Sequence, residues 1–147
     1  MVMQPLQKLA VLGLTLLGTA GAGGQAALTP ALLAGTWQGT VTEPAAGLNY
    51  EMTAQIAARP DAQGRFASVH YTSGEGCDVA WFLQGQTARQ LTVQEKVLSG
   101  PCVDVTLQLT LDRSGKRPAL QVTSHDTGDG LGGQAPTVTL QATLERR

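Results

Sequence analysis

The chain has little charge and only two cysteines, and each shortage excludes a class of protein. Charged residues make up 14% of the 147 residues, and 11 acidic against 10 basic side chains give a formal net charge of −1. Nucleic-acid-binding proteins need a basic face, which this composition does not supply. Two cysteines permit one disulfide and exclude a scaffold held by several bridges. They are too few for a structural zinc site unless His70 and His125 join them, and neither histidine has metal-like spacing to a cysteine.

Long apolar runs are also missing, since the run at residues 9–17 is too short to span a bilayer. With Lys8 before it and small residues at 20–22 after it, the segment 1–22 has the pattern of a cleaved secretory signal. We therefore expect a secreted or periplasmic mature chain with no membrane span. An N-terminal membrane anchor, or cleavage after Ala26, is the alternative.

Residues 23–34 are predicted to form a leader with one short helical turn, and residues 35–147 a single β-domain. Thr29 and Pro30 are favourable residues for the cap and the first position of a helix, and Gly35 then ends the turn. The mature chain has the length of one domain with one core.

Beyond this turn, apolar and polar residues alternate as they do in half-buried strands. The alternation predicts eight strands, at residues 35–42, 48–58, 65–71, 77–84, 88–98, 103–112, 119–124 and 137–145. Their connections leave no room for crossover helices, which indicates an antiparallel meander. The predicted fold class is all-β, an eight-stranded antiparallel up-and-down barrel, because closure removes exposed sheet edges; a β-sandwich is the alternative.

Three of the six aromatic residues, Trp37, Tyr50 and Trp81, fall on the predicted inward faces, as does Glu95. These four residues are the candidate ligand-binding set, because ligand pockets are mostly apolar with a few placed polar groups. A barrel interior filled by valines and leucines, with no cavity, is the favoured prediction, and the pocket is its alternative. A buried carboxylate needs hydrogen bonds, a cation, a position at the barrel mouth, or a proton. We expect Glu95 to accept backbone N–H groups of residues 74–76, with ligand orientation as the alternative.

Two further predictions concern the ends of the barrel. Arg146 continues the inward face of the last strand, where it would form a structural cation–π pair with Trp37; a frayed terminus with Arg146 in solvent is the alternative. Cys77 and Cys102 begin two strands that are not adjacent, which would separate them by about 10 Å. A disulfide allows only ~4.4–6.8 Å between Cα atoms. We predict that the two cysteines are bonded and that at least one leaves its strand pairing.

Candidate catalytic residues are weakly supported. Ser124-His125-Asp126 contains the residue types of a hydrolase triad, but consecutive strand residues point to alternating faces and cannot form its hydrogen-bond relay. Ser68 and His70 share a face, yet the sequence places no carboxylate to orient that imidazole.

The segment 126–133 has the glycine and aspartate content of a calcium loop. It lacks the carboxylate series, and position twelve counted from Asp126 is Thr137 instead of a closing glutamate. The sequence therefore predicts no metal and no cofactor.

Two motifs resemble known families. Gly35-Thr36-Trp37, after a helical turn, resembles the Gly-x-Trp opening of lipocalin-like barrels, in which the tryptophan plugs the closed end. An ordinary core tryptophan at a strand start fits the same three residues.

The second motif is longer and is carried by Tyr71-Thr72-Ser73, Gly76-Cys77, Glu95-Lys96-Val97 and Gly100-Pro101-Cys102-Val103-Asp104. It is similar to an exported bacterial β-barrel domain with a cysteine pair, of the form Tyr-x-Ser-x-x-Cys, β-hairpin, Glu-x-Ile/Val, Gly and a second Cys. This chain departs from the form by an insertion around Gly74-Glu75 and by Asp78-Val79 after the first cysteine. The resemblance implies a lipocalin-like barrel with a Cys77–Cys102 bridge, and it implies no particular activity.

Three classes of function stay open. The first is a structural or protein-interaction module of the cell envelope or the medium, without catalysis. The second is a carrier or sensor of a small apolar ligand held in the barrel interior, and the third is a hydrolase. The expected partner is accordingly another envelope protein or a small apolar ligand.

Overall fold

The computed structural model describes residues 27–126 and 137–147, and in these ranges the chain forms one closed barrel of eight antiparallel strands. Each strand pairs with its neighbours in sequence, and the first strand also pairs with the last. The elements are α1 (Pro30–Leu33), β1 (Gly35–Glu43), β2 (Leu48–Ile56), β3 (Arg65–Tyr71), β4 (Cys77–Gln86), β5 (Leu91–Ser99), β6 (Val105–Asp112), β7 (Ala119–Asp126) and β8 (Thr137–Arg146). The predicted up-and-down barrel is confirmed, and the sandwich alternative is wrong.

Two strand starts differ from the prediction because local hydrogen bonds replace sheet pairing. β5 begins at Leu91 instead of residue 88, since the Thr87 N–H donates to the Gln90 carbonyl and closes a turn there. β6 begins at Val105 instead of residue 103, and the Asp104 carboxylate accepts the Val97 N–H at 2.8 Å where a strand partner would otherwise do so.

The barrel interior is filled by apolar side chains along most of its length. Those with no exposed surface are Leu33, Trp37, Val41, Met52, Ala54, Trp81, Leu91, Val93, Leu107, Leu109, Leu120, Val122 and Leu144. Outward positions on the same strands are mainly threonine, glutamine and serine. This alternation is what a sheet closed around one apolar core requires.

One end of the barrel is closed by α1. The Thr29 hydroxyl caps this helix by accepting the Leu32 N–H, and the indole N–H of Trp37 donates to the Leu33 carbonyl at 2.7 Å. Leu28 is buried beside the helix, and its N–H donates to the Ala88 carbonyl. The N-terminal segment therefore plugs the end at which β1 begins.

The seam between β1 and β8 depends on a glycine. Gly39 lies between the inward residues Trp37 and Val41 and is paired with Leu144. A Cβ atom at residue 39 would overlap the carbonyl oxygen of Thr143. The two strands can approach this closely because residue 39 has no side chain.

Among the residues that the structure describes, no helix is long and apolar enough to cross a membrane.

Candidate ligand-binding site at the open end of the barrel

A disulfide ties two connections together at the end opposite α1. Cys77, the first residue of β4, is bonded to Cys102 in the loop between β5 and β6, and their Cα atoms are 6.1 Å apart. Cys77 keeps its pairing with Tyr71 of β3, whereas Cys102 has left the sheet. The bond can form because one of the two cysteines lies outside the strand ladder, as the sequence predicts.

The β3–β4 turn beside this bond is closed by its own backbone. The Gly76 N–H donates to the Ser73 carbonyl at 2.8 Å, and Gly76 has a φ of 82°, a left-handed conformation that glycine adopts without strain. The Gly76 N–H is therefore used within the turn and is not available to a side chain inside the barrel.

A cavity of about 280 Å³ opens at this end. On the order of nine liquid waters would fill such a volume, so it suits a small molecule. Its wall is formed by Glu43, Tyr50, Tyr71, Ser73, Cys77, Glu95, Pro101, Cys102, Val103, Val105 and Leu140. A larger depression of about 500 Å³ lies on the outer wall between β1, β2 and β8, but it is lined by outward polar residues such as Thr40, Thr143 and Gln141. The mouth cavity is the better candidate because it contacts a buried ionisable group.

That group is the carboxylate of Glu95, whose side chain is 2% exposed. Its Oε2 atom accepts the Tyr71 hydroxyl at 2.6 Å and the Trp81 indole N–H at 2.8 Å. Glu95 lies opposite Trp81 of β4 on one side and Val105 of β6 on the other. Two neutral donors therefore hold one oxygen of the carboxylate.

Burial decides the protonation behaviour of this group. Loss of water contact raises the pKa of Glu95, and the hydrogen bonds from Tyr71 and Trp81 lower it only in part, while the nearby charge of Asp104 raises it further. Burial, together with the Glu95 charge, also raises the pKa of Tyr71 well above its usual value. The tyrosine hydroxyl therefore stays protonated and acts as a donor to Glu95.

A second acidic pair lies at the rim of the same cavity. The Tyr50 hydroxyl donates to the Glu43 carboxylate at 2.7 Å. Burial of the hydroxyl and, to a smaller extent, this hydrogen bond raise the pKa of Tyr50. The rings of Tyr50 and Tyr71 meet edge to face, with centroids 5.8 Å apart and planes at 80°. The cavity thus combines two carboxylates, two tyrosines and an apolar side.

The four predicted ligand-binding residues are divided between the two ends. Tyr50 and Glu95 line the cavity, and Trp81 contacts it only through its hydrogen bond to Glu95. Trp37 lies at the closed end, where the guanidinium carbon of Arg146 sits 4.5 Å from its ring centroid. Trp37 and Arg146 are thus placed together at the plug, away from the cavity.

The predicted partners of Glu95 were wrong. Backbone N–H groups of residues 74–76 were expected, and side chains of β3 and β4 donate instead. The reason is that the turn closes on its own carbonyl, and that Trp81 faces Glu95 directly across the β4–β5 pairing.

The candidate catalytic residues do not form a triad in the described chain. Ser124 is buried and its hydroxyl donates to the Thr106 carbonyl at 3.0 Å. His70 lies on the outer wall, where its Nδ1 is 2.8 Å from Asp78, a carboxylate that was not predicted to lie beside it. Hydrogen bonds from His70 and Ser99 lower the pKa of that exposed carboxyl group. The segment 126–133, for which the sequence predicts no calcium site, lies largely outside the described residues.

Two cavity residues, Tyr71 and Glu43, were not predicted from the sequence. The sequence places Tyr71 on one face of β3, but it does not show which face of this strand points into the barrel. Glu43 was missed because its contact with Tyr50 depends on how β1 and β2 meet, with Val41 opposite Tyr50 in the pairing. The seven-residue separation of a glutamate and a tyrosine across a tight turn is the signal that could have found it.

Comparison with known proteins supports the fold alone. No protein-family model and no curated protein matches the chain. A solved structure described as a redesigned β-barrel is similar, with a TM-score of 0.59 and 19% sequence identity, over 84% of this chain and 99% of that one. At this identity the likeness concerns architecture, and it agrees with the closed eight-stranded barrel.

Proposed function

We propose that this chain is an exported, lipocalin-like barrel that binds a small molecule in the cavity at its open end. The observation that supports this function is the buried Glu95 carboxylate in contact with a cavity of about 280 Å³. Burying a carboxylate is costly unless something compensates it. Tyr71 and Trp81 donate to one oxygen of this carboxylate, and the cavity lies beside the group.

The lipocalin-like assignment rests on the closed end. The helical plug, the Gly-x-Trp opening of β1 and the arginine of β8 over that tryptophan are the features that the sequence resemblance implies. Such barrels leave the opposite end accessible and hold one ligand inside.

The extracytoplasmic location rests on the signal-like residues 1–22 and on the Cys77–Cys102 disulfide, because disulfides persist mainly outside the reducing cytosol. Expression of the full chain in a bacterium, followed by N-terminal sequencing of the product, tests the assignment. We expect a periplasmic or secreted product that begins at residue 23 or 27. A product that retains residue 1 in the cytoplasm would contradict it.

Native mass spectrometry of the exported protein tests ligand binding. We expect a bound molecule in the wild type that is absent from Val105→Phe, whose larger side chain fills the cavity. Thr106→Phe is the matched control, since it adds the same ring on the exposed outer face of β6. The proposal fails if the wild type carries no bound molecule and binds no titrated small molecule, or if Val105→Phe leaves binding unchanged.

A protein-interaction role is the second candidate, and exposed apolar residues at the open end favour it. In the described ranges the large apolar side chains with high exposure are Leu48, Leu98 and Val103, at 47%, 55% and 72%. All three lie in or beside the connections at the end where β1 finishes. The partner would be an apolar surface of another exported protein.

Photo-crosslinking tests this second role. A photoreactive residue at position 103 should yield one defined crosslinked protein, and the same residue at the closed-end position 116 should not. Crosslinks of equal yield from both positions, or none from either, would contradict a docking role for this rim.

A further inference from the structure

We infer that the ligand of the mouth cavity is a small organic cation, a protonated amine attached to an apolar body. This inference rests on the proposed function and names the chemical class of the molecule that the cavity binds. Three features of the cavity support it: the sign of its charges, the free oxygen of Glu95, and the kind of surface beside that oxygen.

The charged side chains of the described cavity wall are all acidic. Glu43 and Glu95 line the cavity, and no lysine, arginine or histidine is found among its described lining residues. The negative charge of Asp104 lies close enough to act on Glu95. An anionic ligand would be repelled at this end, whereas a cation would be attracted to it.

The carboxylate of Glu95 has one oxygen available. In the described part of the chain both hydrogen bonds to this group end on Oε2. Among the described residues, every side-chain oxygen that is buried away from solvent has a hydrogen-bond partner. No described residue donates to the Oε1 atom, and Glu95 lines the cavity. An ammonium group there would supply the missing donor and the compensating charge together.

The remaining wall suits the rest of such a molecule. Tyr50 and Tyr71 place aromatic rings beside the carboxylate, and aromatic rings attract cations. Val105, Leu140 and the disulfide provide an apolar side for a short alkyl or aryl group. A volume of about 280 Å³ suits a short alkyl or aryl body, so we expect a compact amine.

Three probes of nearly equal shape test the charge. They are phenethylamine, which is cationic at neutral pH, the neutral 2-phenylethanol, and the anion phenylacetate, each titrated into the exported wild-type protein by calorimetry. We expect phenethylamine to bind about tenfold or more tightly than 2-phenylethanol, because the ammonium group alone compensates the charge of the carboxylate. Phenylacetate should bind more weakly than both.

The variant Glu95→Gln should abolish the preference for the amine over 2-phenylethanol, because glutamine keeps an acceptor for Tyr71 and Trp81 but carries no charge. Glu51→Gln is the matched control, since it removes one negative charge from the exposed face of β2 and should retain the preference. Retained 2-phenylethanol binding in Glu95→Gln also shows that the variant is folded.

The outcomes separate the two proposals. If the neutral or anionic probe binds as tightly as the amine in the wild type, the cation inference is wrong and the binding function stands. If Glu95→Gln and Glu51→Gln lower amine affinity equally, the effect is one of overall charge and the assignment to Glu95 is wrong. If no probe binds and no molecule is bound in the exported protein, both proposals are wrong.

Discussion

The guanidinium of Arg146 joins the last strand to the N-terminal plug through Trp37. Its central carbon lies 4.5 Å from the indole centroid, and its two terminal nitrogens donate to the carbonyls of Ala34 and Leu32 at 2.6 and 2.9 Å. One side chain thus covers the aromatic ring and satisfies carbonyls at the end of α1. The closed end depends on this arrangement, because a four-residue helix has little stability of its own.

Replacing Arg146 with alanine should lower the free energy of unfolding by about 1–3 kcal/mol, through loss of the cation–π contact and of hydrogen bonds from a charged donor. Arg146→Lys should recover only part of the loss, because lysine lacks the planar fork that reaches two carbonyls. Urea denaturation measures both variants. Arg147→Ala is the control, since the contact described for Arg147 is its backbone N–H to Thr36, which alanine retains. Equal losses at 146 and 147 would contradict the assignment.

The barrel could be predicted from the sequence because the alternation of apolar and polar residues indicates which side of each strand is buried. The sequence also predicted the pairing of Trp37 with Arg146, since strand parity and meander order together fix which residues meet. The sequence-based prediction is wrong where a side chain, instead of a neighbouring strand, accepts a backbone N–H group. At the start of β6, the Asp104 carboxylate accepts the Val97 N–H.

The partners of Glu95 could not be predicted for a related reason. Parity places Glu95 inside, but the register between strands selects Trp81, and Tyr71 comes from one strand further. In β3 both Phe66 and Ala67 are buried, since the register with β4 shifts between Arg65 and Ala67. A strand with such an irregularity has no single inward parity, so the role of Tyr71 was hidden.

The substitution Gly39→Ala should destabilise the barrel by about 1–3 kcal/mol, since the added methyl group would overlap the Thr143 carbonyl oxygen and force β1 and β8 apart. Gly85→Ala is the matched control. Gly85 also lies within a strand, and a Cβ there would make only an ordinary contact with Thr92. Thermal unfolding followed by circular dichroism compares the two. A melting temperature for Gly39→Ala equal to that of Gly85→Ala would show that the seam tolerates a side chain.

Loss of the Cys77–Cys102 bridge should cost about 2–4 kcal/mol, because the bond closes a loop with a sequence separation of 25 residues and restricts the unfolded chain. The double variant Cys77→Ala/Cys102→Ala should unfold at lower urea concentration than the oxidised wild type and match the wild type under reducing conditions. A thiol assay on unfolded, unreduced protein should detect no free cysteine. Two reactive thiols in that assay would contradict the bridge.

Removal of the Glu95 carboxylate by Glu95→Ala should destabilise the protein by about 2–4 kcal/mol, since the Tyr71 hydroxyl and the Trp81 indole N–H would both lose their acceptor inside the barrel. Glu95→Gln keeps an acceptor oxygen and should be at least as stable as the wild type at neutral pH. Urea denaturation of the two variants decides the point. Similar losses in both would mean that the charge itself, and not its role as acceptor, stabilises the fold.

The stability of the wild type should depend on pH through Glu95. Its pKa in the folded protein lies above its ordinary value of 4.5, so the folded state binds this proton more tightly than the unfolded state. The resulting stabilisation is complete below pH 4.5, decreases as the pH rises from there through the folded pKa, and is absent above it. The lowered pKa values of Asp78 and Asp112 act in the opposite direction and below their ordinary value of 3.8, outside this window. Glu95→Gln should therefore gain stability relative to the wild type as the pH rises from 4.5 to 7, measured as the difference in unfolding free energy in urea. A difference between Glu95→Gln and the wild type that stays constant or shrinks over this range would show that burial does not raise the pKa of Glu95.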